Sequence, residues 1–516
     1  MKVVVVGGGV AGLGSALILA QQGHSVTVLE RDDTPMPTSA DEAFEWDRRG
    51  APQVRHSHAF LARLVGLLRR EHPEVYAELL REGASEMRFG DDLPPGIVDF
   101  ERQPDDDELV MLACRRTTFE WILRRRALAE GRVEFRTGVG VSGLVAGAPI
   151  DDSGLPHIAG VRLADGSTID ADLTVVAAGR RSALSDWLVE AGTAPVTEEV
   201  DDTGIVYFSR FYRLRDGFDY PPRTGPIGGD LGYLKYGVFV GDNRTFSVTL
   251  AAPTDDDVLR KMLHDPAVFD HCARQLVATE PWLDGRAEAI TDEVHVMAGL
   301  LNRWRDYVVN GVPVATGFIP VGDAVLCTNP LYGRGCSTAF WGAHLMASAV
   351  AANPNDVHAA VVAYDTALRA DIRPWYRAGV DQDAEARRVS AALLSGADPD
   401  GARAGEHIFD DVFCLRDAAD PDDRHLHLLG DLIDHAQHDR LQGRGDEAAE
   451  LVAERRAEVV GDGQQAVGAR RMLHPLERDP SLAHRGRRRV AGGQEERFER
   501  QERVDGRERR GPGGHA

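Results

Sequence analysis

The stretch "VVVVGGGVAG" (residues 3–12) decides the fold. Val3–Val6 is a β-branched run that suits a buried strand. Gly7-x-Gly9-x-x-Gly12 follows at once. In a dinucleotide-binding unit the first glycine permits the tight turn, the second lets the backbone approach a pyrophosphate, and the third lets helix and strand pack closely. The spacing predicts a helix over Ala11–Gln22, closed by Gly23, and a second strand over Ser25–Leu29. Glu30 ends that strand 18 residues after Gly12, close to where an acid is expected to bind ribose hydroxyls. Gly8, Ala11 and Arg31 flank the same loops and join the candidate binding set. An acid at position 30 disfavours a 2′-phosphate, so NADP is a poor occupant.

Residues 3–20 are uncharged, and a membrane or signal segment is the competing reading of such a run. Five glycines interrupt it, only Lys2 precedes it, and no A-x-A site stands before "ERDD". The reading is therefore a nucleotide-binding βαβ unit with no transmembrane segment. Across the 516 residues the net charge is -23. That argues against nucleic acid or an anionic membrane as partner, because phosphates repel it. Lys2, Lys235 and Lys261 are the only lysines, which leaves few candidates for lysine chemistry. Five cysteines with no C-x-x-C argue against a disulfide framework or zinc ribbon and fit a cytoplasmic protein.

Farther along, "AFLARLVGLLRR" (59–70) and residues 117–129 have helical apolar spacing, and "LTVVAAG" (173–179) reads as a buried strand. "IVYFSRFYRL" (205–214), "YLKYGVFV" (233–240), the turn "GDNR" (241–244) and "TFSVTLAA" (245–252) make a hairpin of a mostly antiparallel sheet. Phe246, Val248 and Leu250 alternate along its last strand. The expected organisation is α/β, with a Rossmann-type dinucleotide domain in two parts, 1–194 and 291–355. An inserted β-sheet substrate domain fills 195–290, and a helical region spans 356–440. Residues 441–516, rich in arginine, acids and glycine, read as a disordered tail.

The fingerprint alone leaves FAD and NAD open. "GFIPVGDAVLCTNPLYGRGCSTAF" (317–340) brings a strand to Gly322-Asp323, and Asn329-Pro330-x-x-Gly333-x-Gly335 then opens a helix. "RRTTFEWIL" (115–123) sets Arg116, Phe119 and Leu123 at a helix start. With these motifs, which cover about residues 1–355, the chain resembles the FAD-dependent aromatic-hydroxylase superfamily. The resemblance is nearest to bacterial epoxidase-type flavin monooxygenases of secondary metabolism, because "RRGAPQVRHSHAFLARL" (48–64) is similar to their segment. It implies that Asp323 binds ribityl or ribose hydroxyls and that Arg116 contacts the flavin. It also implies that the loop Gly333–Cys336 faces the pyrimidine edge, where a helix dipole stabilises anionic reduced flavin; Gly322 and Pro330 belong to the same cofactor-binding motif. Gln53, Arg55 and His58 are candidates to contact the flavin or gate the substrate.

The hydroxylases that use NAD(P)H carry Asp-Gly after a strand such as 173–177; here Ala178-Gly179 stands in that place. NAD(P)H is therefore expected to act directly or through a flavin reductase. Halogenases of the same superfamily need a lysine beside the flavin and a W-x-W-x-I-P segment, and neither has a counterpart here. The expected reaction is hydroxylation or epoxidation of a small organic substrate by O₂ through a flavin C4a-hydroperoxide. The alternative is a dehydrogenase or reductase acting on a C=C bond, similar to geranylgeranyl reductases. No residue announces itself as a base; His56, His58 and Tyr332 are the nearest candidates. In "RHSH" (55–58) Ser57 is the expected cap of the following helix, and no acid or cysteine cluster completes a metal site.

Overall fold

A computed structural model describes residues 1–88, 106–150, 154–222 and 227–394. The alternation of apolar strand and glycine-led helix produces β1 (Lys2–Val6), α1 (Val10–Gln21) and β2 (Ser25–Leu29). The next elements of this layer are α2 (Arg116–Ala129), β3 (Val133–Arg136) and β4 (Leu173–Val176). A five-stranded sheet forms with β1 at its centre, pairing in parallel with β2 and β4. β1 and β4 are buried along nearly their whole length, as strands covered on both faces of a parallel sheet should be. Residues 3–20 are thus a strand followed by a helix, and no helix among the described residues is long and apolar enough to cross a membrane.

A second sheet is antiparallel and six-stranded. Its centre is β5 (Ile205–Leu214), β6 (Lys235–Val240) and β7 (Thr245–Pro253), with β8 (His295–Met297) also paired to β5. The β6–β7 turn places Asn243 and Arg244 at φ 52° and 61°, the left-handed pair that a two-residue hairpin requires. Three helices, Asp257–Met262, Pro266–Gln275 and Glu280–Leu283, follow β7.

β9 (Leu301–Asp306) pairs with Thr197–Asp202, so the chain enters and leaves the second sheet along one antiparallel ribbon. β10 (Phe318–Pro320) then extends the parallel sheet beside β4. After β10 come the helices α3 (Arg334–Ala352), α4 (Val357–Asp371) and α5 (Arg373–Leu394). The expected helical region is described only as far as residue 394; its remainder and the expected disordered tail lie outside the described residues.

One local expectation is corrected. The helix after "RHSH" begins at Ala62, capped by Leu61, not at residue 59. Phe60 instead makes an antiparallel bridge to Leu112, and residues 57–59 are in no helix. Ser57 therefore caps nothing: its hydroxyl bonds Ser247 and Thr249 at 2.7 and 2.6 Å.

Candidate active site

The carboxyl ends of β1, β2 and β4 open on a cavity of about 390 Å³, which the second sheet's flank also reaches through Met297. Ligands of open α/β sheets bind outside the carboxyl ends of the strands. Gly7, Gly8, Gly9 and Ala11 line it at the start of α1, with Glu30 and Arg31 at the end of β2. Gln53, His58, Arg116 and Gly179 form further wall, and Asp323, Pro330, Gly333, Gly335 and Cys336 come from the second motif. Gly7 turns the chain at φ +104°. A side chain at Gly9 would meet nothing within 4 Å, which leaves its backbone open to a ligand.

Five expected residues are not in the lining. At Gly12 a Cβ would come within 1.9 Å of the Gly7 carbonyl, and at Gly322 within 2.7 Å of Ala11 Cβ, so both glycines serve packing behind the wall. Arg55 donates to the Phe44 carbonyl at 2.5 Å and lies over the Phe44 ring. His56 turns to the second sheet, with Nδ1 3.1 Å from Ser209 Oγ. Burial, then His295 and Arg180, push its pKa down to about 3, so the ring is neutral. Tyr332 is buried and donates to the Asp383 carboxylate at 2.8 Å.

Two helix N-termini meet this cavity uncapped. α1 starts at Gly9 and α3 at Gly333; neither has a side-chain cap or an acid in its first turn. Gly333 is left-handed, φ 64°, which sets the turn into α3. Such ends leave unpaired N–H groups and the positive pole of the helix dipole facing any bound group. Asp323 adds a carboxylate that takes no side-chain hydrogen bond among the described residues. Burial raises its pKa, against the pull of Arg116, Arg180 and Arg305. Two anion-accepting helix ends, one hydroxyl-accepting carboxylate and an open Gly9 are the donor set that a flavin dinucleotide needs, so the residues present fit FAD.

The wall is held by a charge chain that the sequence motifs do not display. Glu120 is fully buried and accepts from Arg48 Nη1 at 2.6 Å and from Arg116 Nε at 2.8 Å. Arg48 Nη2 also reaches Glu30 at 3.3 Å, and the Gly8 N–H donates to the same carboxylate at 3.0 Å. Glu30 is thereby fixed from two sides. Arg116 continues the chain to His58 Nε2 at 3.2 Å and Cys336 Sγ at 3.5 Å. Although burial opposes its charge, Cys336, Glu120 and Asp323 raise the Arg116 pKa. His58 is pushed well down, first by burial and then by Arg116, so it faces the cavity neutral. Glu120 was within reach of the sequence, four residues after Arg116 on one helix face. Arg48, Ser57 and Arg180 also line the cavity; Arg48 and Ser57 fall in the 48–64 segment, but their partners lie too far along the chain for spacing to reveal.

Residues 2–45 match the family described as pyridine nucleotide-disulphide oxidoreductase. Protein Rv3254 of Mycobacterium tuberculosis is 28% identical over 384 residues, 68% of this chain and 73% of that protein. Among solved structures, PqsL of Pseudomonas aeruginosa, described as a probable FAD-dependent monooxygenase, superposes with a TM-score of 0.56 at 16% identity. It covers 80% of this chain and 99% of its own. The flavin-dependent brominase Bmp2 gives 0.54 at 16% identity, over 85% of this chain and all of its own. The chondrochloren halogenase CndH, myxobacterial and FAD-dependent, gives 0.54 at 18% identity, over 80% and 95%. The fold is therefore the one shared by these flavoprotein monooxygenases and halogenases, as the sequence motifs lead one to expect.

Proposed function

We propose that the protein is an FAD-dependent oxidoreductase, and within that class a monooxygenase that transfers one atom of O₂ to a small organic substrate. One observation carries the reading: two uncapped helix N-termini and the Asp323 carboxylate line a single cavity. Bound FAD supplies the reduction of O₂ and the oxygen transfer. In this reading the α1 N-terminus takes the pyrophosphate, Glu30 the ribose hydroxyls and Asp323 the ribityl hydroxyls. Arg116 and the α3 N-terminus favour negative charge on the flavin. Met297, Leu300 and Leu301 line the same cavity and exclude water from the reacting groups.

The substrate is a secondary metabolite, hydroxylated or epoxidised, and the protein works in the cytoplasm on substrate and O₂. The first and third domain parts, 1–194 and 291–355, bind FAD, and 195–290 covers the substrate. NAD(P)H reduces the flavin directly or through a flavin reductase, and Ala178-Gly179 supports the second route. Halogenation gains no support: Lys2, Lys235 and Lys261 are absent from the cavity wall, and Lys235 is paired with Asp230.

Oxygen consumption by the flavin-loaded protein separates this reading from a dehydrogenase or reductase of C=C bonds. Uptake of O₂ matched to oxygenated product supports the monooxygenase. Substrate turnover without O₂ uptake assigns the protein to the alternative.

A further inference from the structure

The second sheet turns a polar face inward. Ser209 on β5 stands opposite Thr249 on β7, and Ser247 lies two residues before Thr249 on the same face. All three are buried, at 0%, 6% and 2% exposure. A buried row of hydroxyls on a strand face is the informative exception to apolar burial. Here the row is completed by Ser57, which lines the cavity, and by the neutral ring of His56.

The bonds form a linear chain: Ser247 to Ser57 at 2.7 Å, Ser57 to Thr249 at 2.6 Å, Thr249 to Ser209 at 2.8 Å, and Ser209 to His56 Nδ1 at 3.1 Å. A neutral imidazole has one N–H and one acceptor nitrogen. With Nδ1 facing the Ser209 hydroxyl, the chain runs in one direction when the ring proton sits on Nε2 and Nδ1 accepts. Each hydroxyl has a single proton, so the remaining directions follow. Ser209 donates to His56, Thr249 to Ser209, Ser57 to Thr249 and Ser247 to Ser57. Ser57 has then spent its only proton and keeps one lone pair for the cavity.

We propose that Ser57 is a specificity-determining residue that, set by the His56 hydroxyl chain, selects substrates presenting an O–H or N–H donor to this wall. The proposal rests on the reading of the cavity as a flavin monooxygenase site. A carbonyl, ether or bare alkene at this point leaves the Ser57 lone pair unpaired or faces it with another acceptor. A buried polar group without a partner is the costly case.

The test is a matched pair of small probes, 4-methylphenol and its methyl ether, titrated into the FAD-loaded protein and followed by the flavin absorbance. The phenol is expected to bind roughly tenfold more tightly or better. In Ser57→Ala the ratio is expected to fall below about threefold, because the acceptor is gone. His56→Leu leaves the cavity wall intact but removes the acceptor at the end of the chain, so Ser209 and Thr249 can turn their protons toward Ser57 while Ser247 still donates to it; this frees the Ser57 proton for the cavity, and the same loss of preference is expected there. A purely steric role for Ser57 leaves the His56→Leu ratio unchanged. Equal binding of the two probes, tighter binding of the ether, or a preference that survives both substitutions overturns the proposal. So does failure of both probes to bind protein that holds FAD. A preparation that retains no FAD overturns the monooxygenase reading instead.

Discussion

Two arginines, the buried Arg48 and the partly exposed Arg116, converge on the single buried carboxylate of Glu120. Removing one partner of a buried charge pair costs about 3 kcal/mol or more, because the other charge stays buried without compensation. Glu120→Gln is therefore expected to lower the unfolding free energy by about that amount in urea titrations. It is also expected to weaken FAD retention, since Arg48 holds Glu30 and Arg116 faces the cavity. A second residue-scale effect concerns acid stability. His344 packs against His72, with Nε2 atoms 3.1 Å apart. Burial, then His72 and Arg70, lower its pKa to about 4, whereas a free histidine titrates near 6.5. The unfolded chain takes up this proton below pH 6.5 while the fold refuses it until about pH 4. Its contribution is thus complete above pH 6.5 and is lost as the pH falls from there to about 4. His344→Gln is expected to flatten the fall of Tm across that window, measured against the parent protein. His56 and His72, lowered in the same direction, keep part of the slope.

At the scale of elements, the loop that precedes α3 is tied to the last described helix. Asp383 on α5 is buried and accepts from Asn329 Nδ2 at 2.7 Å, Asn302 Nδ2 at 2.6 Å and the Tyr332 hydroxyl at 2.8 Å. Tyr207 on β5 donates to the other end of the Asn329 amide at 2.7 Å. Three donors converge on one carboxylate, so Asp383→Ala strands them together. The expected outcome is at least a tenfold rise in the FAD dissociation constant, of the order that losing about 1.4 kcal/mol gives. Asp383→Asn should recover part of it, since an amide still offers an acceptor.

This element is also where sequence reading stopped. The glycines of residues 7–12 and 333–335 are legible because their roles are local: a turn, a close approach, a helix start. Tyr332 sits in that loop and was a reasonable catalytic candidate by proximity along the chain. Its hydroxyl faces Asp383, 51 residues away, a partner no short-range spacing announces. The alternation of Phe246, Val248 and Leu250 was equally legible. The opposite conclusion for Ser247 and Thr249, that a polar face is buried too, depends on residues 57 and 209 arriving from elsewhere in the chain. His56 and Ser57 illustrate the same limit: the helix starts only at Ala62, and their side chains bond the second sheet and cap no helix.

For the whole molecule, the account rests on one division of labour between a parallel sheet that presents helix N-termini and an antiparallel sheet whose buried hydroxyls set Ser57 at the cavity wall. A ligand between them meets positive backbone poles on one side and an ordered acceptor on the other. That arrangement fits a redox cofactor that gains negative charge on reduction beside a substrate shielded from water. The same view makes a prediction about electron supply. With Ala178-Gly179 where an aspartate would assist nicotinamide, NADH or NADPH alone should bleach the flavin slowly, and adding a flavin reductase should speed it severalfold. Fast bleaching by either nucleotide alone would remove the partner reductase from the scheme.

The most direct test of the central claim is the visible spectrum of the purified protein, followed by O₂ consumption when the bound flavin is reduced. The account predicts a flavin spectrum whose chromophore is released as FAD on denaturation, and O₂ uptake on reduction. It also predicts that Asp323→Ala and Arg116→Ala lose most of the bound flavin while remaining folded. Protein that is folded but colourless, and that takes up no added FAD, would contradict it.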